Sequence, residues 1–233
     1  MEAEAAPMIE HFGLKEMEAG VLPGPLPSKC YRGDHAGMQV VVVTHGKDGP
    51  TGVDLVGTVP AALVSYLSVM TFKPDLVINA GTAGGFAKRG GAVGDVYVST
   101  AVANHDRRIS IPGFDVYGVQ RIECAKTDAM RAALGFKAGV VSSGNSLEAC
   151  DEDLRMLDAN EACIKEMEAS AHAWTCSLHN VPFVCVKAIT DIVDGDKPSS
   201  EEFLENLGMA AKALQTAMPR VLEFVSGKRP SEL

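Results

Sequence analysis

Residues 75–85, "DLVINAGTAGG", decide the fold. A short apolar run bounded by turn residues reads as a buried strand, and it empties into a glycine-rich turn. The same grammar recurs outward along the chain in "MQVVVVTH" (38–45), "GDVYVSTAV" (94–102), "GFKAGVVSSGNS" (135–146) and "PFVCVKAITD" (182–191). Between these runs, residues 51–72 read as a helix kinked or divided at Pro60, since proline removes a helical hydrogen bond. Residues 168–180 read as a second helix, and a long one closes the chain from Ser199 to about Ser226. Strands that are apolar throughout, alternating with helices, indicate a sheet covered on both faces. The expected architecture is a single domain over residues 1–233, three-layer α/β/α with a central mixed, mostly parallel twisted sheet. Such sheets bind ligands outside the carboxyl ends of their strands. The strand exits "NAGTAGG", "SSGNS" and "AITD" are therefore expected in one cleft.

Composition narrows the function. A net charge of −9 argues against a nucleic-acid or anionic-membrane partner. No apolar run approaches the roughly 18 residues a membrane span needs. The six cysteines form no C-x-x-C pair and several sit in apolar segments, as buried reduced thiols do. No secretory leader pattern opens the sequence, so a reducing, cytoplasmic setting is the default expectation.

Three motifs carry candidate chemistry. "NAGTAGGF" (79–86) follows a strand as a phosphate cradle would, yet it lacks the Lys-Ser/Thr ending of a P-loop and the G-x-G-x-x-G spacing. Either a plain tight turn or a close approach to a sugar, with the Thr82 hydroxyl, explains it. In "IKEMEASAHAW" (164–174), Glu166, Met167 and Glu168 precede a helix whose first turns are small. A carboxylate there can cap the helix, or grip the vicinal hydroxyls of a ribose. In "VCVKAITDIVDGDKP" (184–198), strand parity places Phe183, Cys185, Lys187, Ile189 and Asp191 on one face. An aspartate ending a buried strand at a cleft mouth is desolvated, which raises its pKa and suits it to donate a proton. Asp194 and Asp196 read as turn formers.

Taken together, "NAGTAGGF", "EMEAS", "KAITDIVDGDKP", "HDRRISIPGFDVYGV" and "SSGNSLEA" resemble, in order and over nearly the whole chain, the plant-type methylthioadenosine nucleosidases of the nucleoside phosphorylase superfamily. The resemblance implies hydrolysis of the N-glycosidic bond of 5′-methylthioadenosine in methionine salvage, with S-adenosylhomocysteine as a further possible substrate. It implies Asp191 as the acid that protonates adenine, Glu4 as the acid that activates water, and Glu168, beside Met167, as the ribose ligand. Thr82 corresponds to a small hydroxyl near that water, and Leu147 to the segment facing adenine. Met8, Phe114 and Phe203 are candidates for the methylthio pocket, with Phe114 supplied by the partner of a homodimer; ordinary core packing explains each of the three as simply. No cofactor and no metal are expected. His105 reads as a hydrogen-bonded structural histidine beside Asp106, and Arg107 and Arg108 as carboxylate or dimer-surface partners.

Two departures from the family pattern are visible. The family opens with an apolar strand before "MEAE" that residues 1–233 do not contain; a truncated sequence or a mispredicted start is the preferred explanation. Its absence is expected to leave neighbouring strands unpaired and Glu4 near a mobile end. Asn145 stands where an aspartate is usual, on the expected adenine side. Two rival functions remain at this level: phosphorolysis, which needs a cationic phosphate site that only Lys47 hints at, and a storage or binding role. A dinucleotide enzyme fits the glycine pattern poorly.

Overall fold

The computed structural model describes residues Met1 to Leu233. Its helices are α1 (Glu2–His11), α2 (Thr58–Phe72), α3 (Phe114–Val119), α4 (Asp128–Leu134), α5 (Asp151–Ala159), α6 (Ala169–Leu178) and α7 (Ser199–Val225). Its strands are β1 (Lys15–Glu16), β2 (Lys29–His35), β3 (Met38–Thr44), β4 (Val77–Gly85), β5 (Val96–Asn104), β6 (Ile122–Glu123), β7 (Lys137–Ser143), β8 (Ala162–Glu166) and β9 (Phe183–Ile192).

The long strand pairings β4–β9, β5–β7 and β7–β8 are parallel, as fully apolar strands favour. Antiparallel contacts of β9 with β5 and of β8 with β4 then curl the sheet until it closes on itself. The central sheet is thus mixed, and more strongly curved than a flat three-layer stack. One face packs against α6, through Cys176, Ile189 and Val141 among others; the other packs against α7. Helix α7 presents Ala210, Leu214, Ala217, Val221 and Val225 at spacings of three and four, a stripe that faces the sheet.

Helix α2 starts at Thr58, not near residue 51, which corrects the sequence expectation. Pro60 falls in the first turn, where its missing N–H has no intrahelical partner, so it neither kinks nor divides the helix.

A second correction concerns β9. The register against β4 pairs Ala83 with Ile189 but Gly84 with Asp191, leaving Thr190 as an extra residue. This bulge breaks the alternation. A Cβ on Gly85 would meet Ile189, whereas one on Gly84 would lie 2.8 Å from Asp191 Oδ2. Adjacent strand residues face opposite ways, so Asp191 and Ile189 lie on opposite faces, contrary to simple parity.

Strands β1, β2 and β3 form a separate antiparallel sheet. The edge of β3 away from β2 pairs with nothing, and β4 meets β8 only at Gly84 and Gly85. Both edges border one slot. The expectation for Glu4 fails: it sits buried in the first turn of α1, not on a free terminus.

Candidate active site

The slot and the cavity at the carboxyl end of β4 form one continuous space of about 940 Å³. Glu4, Met8, Thr82, Leu147, Met167, Glu168, Asp191 and Phe203 all line it, although they come from six separate parts of the chain. Phe114 does not; it lies exposed on α3. No group of three or more His, Cys, Asp or Glu side chains is arranged to hold a metal ion.

Three acids meet there in three different electrostatic settings. Glu4 Oε1 accepts from the Thr82 amide and hydroxyl, each at 2.6 Å, and Oε2 accepts from the Met1 ammonium at 2.6 Å. Burial pushes its carboxyl up, and the two Thr82 donors oppose burial by favouring the charged form. Asp191 is shifted upward. Burial raises it, against weaker opposition from the Thr190 and Ser199 hydroxyls and the Lys165 charge. Glu168 rises to about 7, through burial first and the neighbouring Glu166 charge second. Paired acids pushed apart in this way are how one site obtains a base and an acid together.

The two glutamates of "EME" divide their work. Glu166, the last residue of β8, accepts the amides of Glu168 at 2.9 Å and of Ala169 at 2.9 Å, so it caps the start of α6. Glu168 itself makes no cap; its Oε1 accepts from the Gly57 amide at 2.8 Å across the cleft. The capping explanation open for Glu168 therefore belongs to Glu166.

The relatives agree with this layout. The family profile described as Phosphorylase superfamily matches residues 1–225. A 5′-methylthioadenosine nucleosidase of Arabidopsis thaliana is 43% identical over 233 residues, covering 100% of this chain and 87% of the relative. This chain belongs to the methylthioadenosine/S-adenosylhomocysteine nucleosidase branch of that superfamily. The apo structure of an Arabidopsis thaliana 5′-methylthioadenosine nucleosidase superposes with a TM-score of 0.98 at 43% identity, covering 100% of this chain and 96% of the other. The Neisseria meningitidis 5′-methylthioadenosine/S-adenosylhomocysteine nucleosidase, solved with methylthio-immucillin-A, gives 0.77 at 27% identity, covering 96% of each chain.

In this nucleosidase, Asn145 is occupied outside the cavity. Its Oδ1 accepts from the Thr58 amide at 2.9 Å and hydroxyl at 3.0 Å, and its Nδ2 donates to Asp106 at 3.3 Å. An aspartate would accept from Thr58 but would face Asp106 with like charge, so the asparagine suits this contact. His105 is buried and bonds Ser142 Oγ at 3.3 Å rather than Asp106. Arg108 pairs with Asp153, while Arg107 donates to Gln120 at 2.7 Å. Lys47 is taken by Glu2 at 2.8 Å.

The lining residues that escaped the sequence reading as site members include Lys165, Lys187, His45 and His172. Lys165 Nζ donates to the Ser146 and Leu147 carbonyls at 2.6 Å each, fixing the strand exit that carries Leu147. The His45 and His172 rings lie 5.5 Å apart, tilted by 35°, and burial pushes both below the usual imidazole range. A lysine inside the apolar run "VCVKAI" is the one signal that could have found a member of this group, since lysine is almost never buried unpaired.

Proposed function

We infer that this nucleosidase cleaves the N-glycosidic bond of 5′-methylthioadenosine with water, giving adenine and 5-methylthioribose, and that S-adenosylhomocysteine is a second substrate. The observation that carries this reading is one cavity holding a carboxyl that burial biases to keep its proton, Asp191, and a second acid, Glu4, held by the Thr82 amide and hydroxyl. Asp191 gives its proton to N7 of adenine as the C1′–N9 bond breaks. Glu4 takes a proton from the water that attacks the oxocarbenium-like C1′, with Thr82 alongside. Glu168 accepts hydrogen bonds from the ribose hydroxyls in its ionised form, and Met167 lies against the sugar. Leu147 borders the base. Met8 and Phe203 offer apolar surface to the methylthio group. Two carboxyl groups tuned apart around a glycosidic bond follow the general logic of glycoside hydrolysis.

Phosphorolysis finds less support. The buried Lys187 is bound to Glu166 at 3.1 Å, and Lys165 spends its donors on two carbonyls. Both are thus engaged by the protein, and the Glu4 carboxylate repels a phosphate.

The working unit in this reading is a homodimer. On α2 the exposed Val59, Leu63, Tyr66 and Met70 form an apolar stripe at helical spacing, beside the exposed Trp174 and Leu178 of α6. Val59, Leu63 and Trp174 share a groove with Arg107 and Gln120, which flank the exposed Phe114 segment. A second copy seated there covers the stripe and brings its own Phe114 to the neighbouring cavity.

Chromatography of the products of 5′-methylthioadenosine, with and without phosphate, tests the reaction. Adenine and free methylthioribose, unaffected by phosphate, are expected. A sugar 1-phosphate formed only with phosphate would replace hydrolysis by phosphorolysis.

A further inference from the structure

The reading above leaves Glu166 without a task, although it is among the most buried acids in the chain. Its carboxylate is saturated by protein donors. Oε2 accepts from the amides of Glu168 and Ala169, both at 2.9 Å, and from Lys187 Nζ at 3.1 Å. Oε1 accepts from the Ala169 amide at 3.1 Å and from the Ser143 hydroxyl. A carboxylate offers about four lone-pair sites, so none remains for a ligand. These donors come from four places that must hold still for the site to work: the exit of β7, the turn between β8 and α6, the first residue of α6, and the middle of β9.

We propose that Glu166 is a positioning residue for the nucleosidase reaction, aiming the Glu168 carboxylate at the ribose through the amides it binds and holding the Lys187 ammonium beneath the acids. The inference rests on the hydrolytic reading given above. Glu168 follows directly on the Glu166-bound turn, and its other anchor is a single amide, that of Gly57. Without the Glu166 contacts, the backbone that carries Glu168 loses its fixed point. Lys187 is fully buried, with Glu166 as its hydrogen-bonded ion partner. Both Lys187 Nζ and Glu4 Oε1 lie 3.4 Å from where a Cβ on Gly81 would stand, so glycine at 81 leaves room for the two charges to approach. Burial opposes charge on Lys187, but Glu166, Glu168 and Glu4 outweigh it. Glu166 likewise stays ionised, because Lys187, Ser143 and the two amides outweigh its burial.

The test uses the full chain, wild type beside Glu166→Gln, with 5′-methylthioadenosine and its 2′-deoxy analogue as substrates. If Glu166 aims Glu168, the wild type discriminates against the analogue through a hydrogen bond that the variant holds poorly. The ratio of kcat/KM values for the two substrates is expected to fall at least about tenfold in Glu166→Gln. Its acidic activity limb is expected to move to lower pH, because Glu168 loses a neighbouring negative charge while Lys187 stays. Glu166→Asp, which keeps the charge at shorter reach, is expected to retain more of the discrimination, and serves if Glu166→Gln does not fold. Equal losses on both substrates, or an unmoved ratio in an active variant, overturn the inference. A wild type inactive on both substrates overturns the nucleosidase reading and this inference with it.

Discussion

At the residue scale, the site depends on opposite pKa shifts in chemically similar groups. Asp191 is raised by burial, and the bulge at Thr190 aims it beside Gly84. Asp191→Asn keeps the shape and removes the proton, so kcat for adenine release is expected to fall by about 10²–10⁴, the range a general acid contributes. Product chromatography measures it, and an unchanged rate removes the acid role. His105 makes a separate stability prediction. Burial lowers its pKa to about 4, well below the unfolded value near 6.5. Between those values the unfolded chain binds the extra proton. The histidine's contribution is therefore complete above about pH 6.5 and is lost as the pH falls to about 4. The loss amounts to about 3 kcal/mol. Glu168, raised to about 7, works the other way, since the native state holds its proton between about 4.5 and 7 and gains stability as the pH falls there. Subtraction isolates the histidine: urea unfolding of wild type and His105→Asn from pH 7 to 4 is expected to show a stability gap narrowing by about 3 kcal/mol. Parallel curves would refute this.

At the element scale, the unusual feature is a slot bordered by two unpaired strand edges, β3 on one side and residues 77–83 of β4 on the other. The buried Asn79 Oδ1 and Ser68 Oγ, both lining it, have no hydrogen-bond partner. Buried polar groups ordinarily find one. Met1 lines the same cavity, so an apolar strand of about seven residues joined ahead of it can run between the edges and satisfy both ladders. Thermal unfolding of such a fusion is expected to occur at least about 5 °C higher, against a proline-containing extension as control. Equal melting temperatures in the two fusions would mean that the slot does not accept a strand.

At the scale of the whole molecule, the exposed Phe114 and the α2 stripe concern the assembly. If Phe114 serves the neighbouring copy, Asp191→Asn and Phe114→Ala subunits complement each other. In a mixed dimer the Phe114→Ala chain keeps its acid and receives the partner's phenylalanine, so one complete site returns. Random mixing of equal amounts is expected to restore about a quarter of the wild-type sites, since half the dimers are mixed and each has one good site. Activity equal to the average of the separate variants would place Phe114 outside the neighbouring site.

Much of this protein was legible from its residues. The strands β3, β4, β5, β7 and β9 announce themselves as short apolar runs, and the acids Glu4, Glu168 and Asp191 sit in short motifs at strand or helix ends. Elements α1, α5 and β8 were not assigned, because their stretches are short, charged or weakly periodic and are stabilised by what they pack against. The bulge at Thr190 has no mark in the sequence either. It exists because β9 must match β4 around two glycines, and it decides which face Asp191 takes. Which glutamate caps α6 and which reaches into the cleft likewise depended on the third dimension. "EME" offers two equivalent acids, and only the placement of Ser143, Lys187 and Gly57 around them tells one from the other. Apolar pattern and residue chemistry are local properties that a chain carries in its order. Register, charge partnership and the direction of a side chain belong to contacts between distant segments, and these exist only once the sheet has closed.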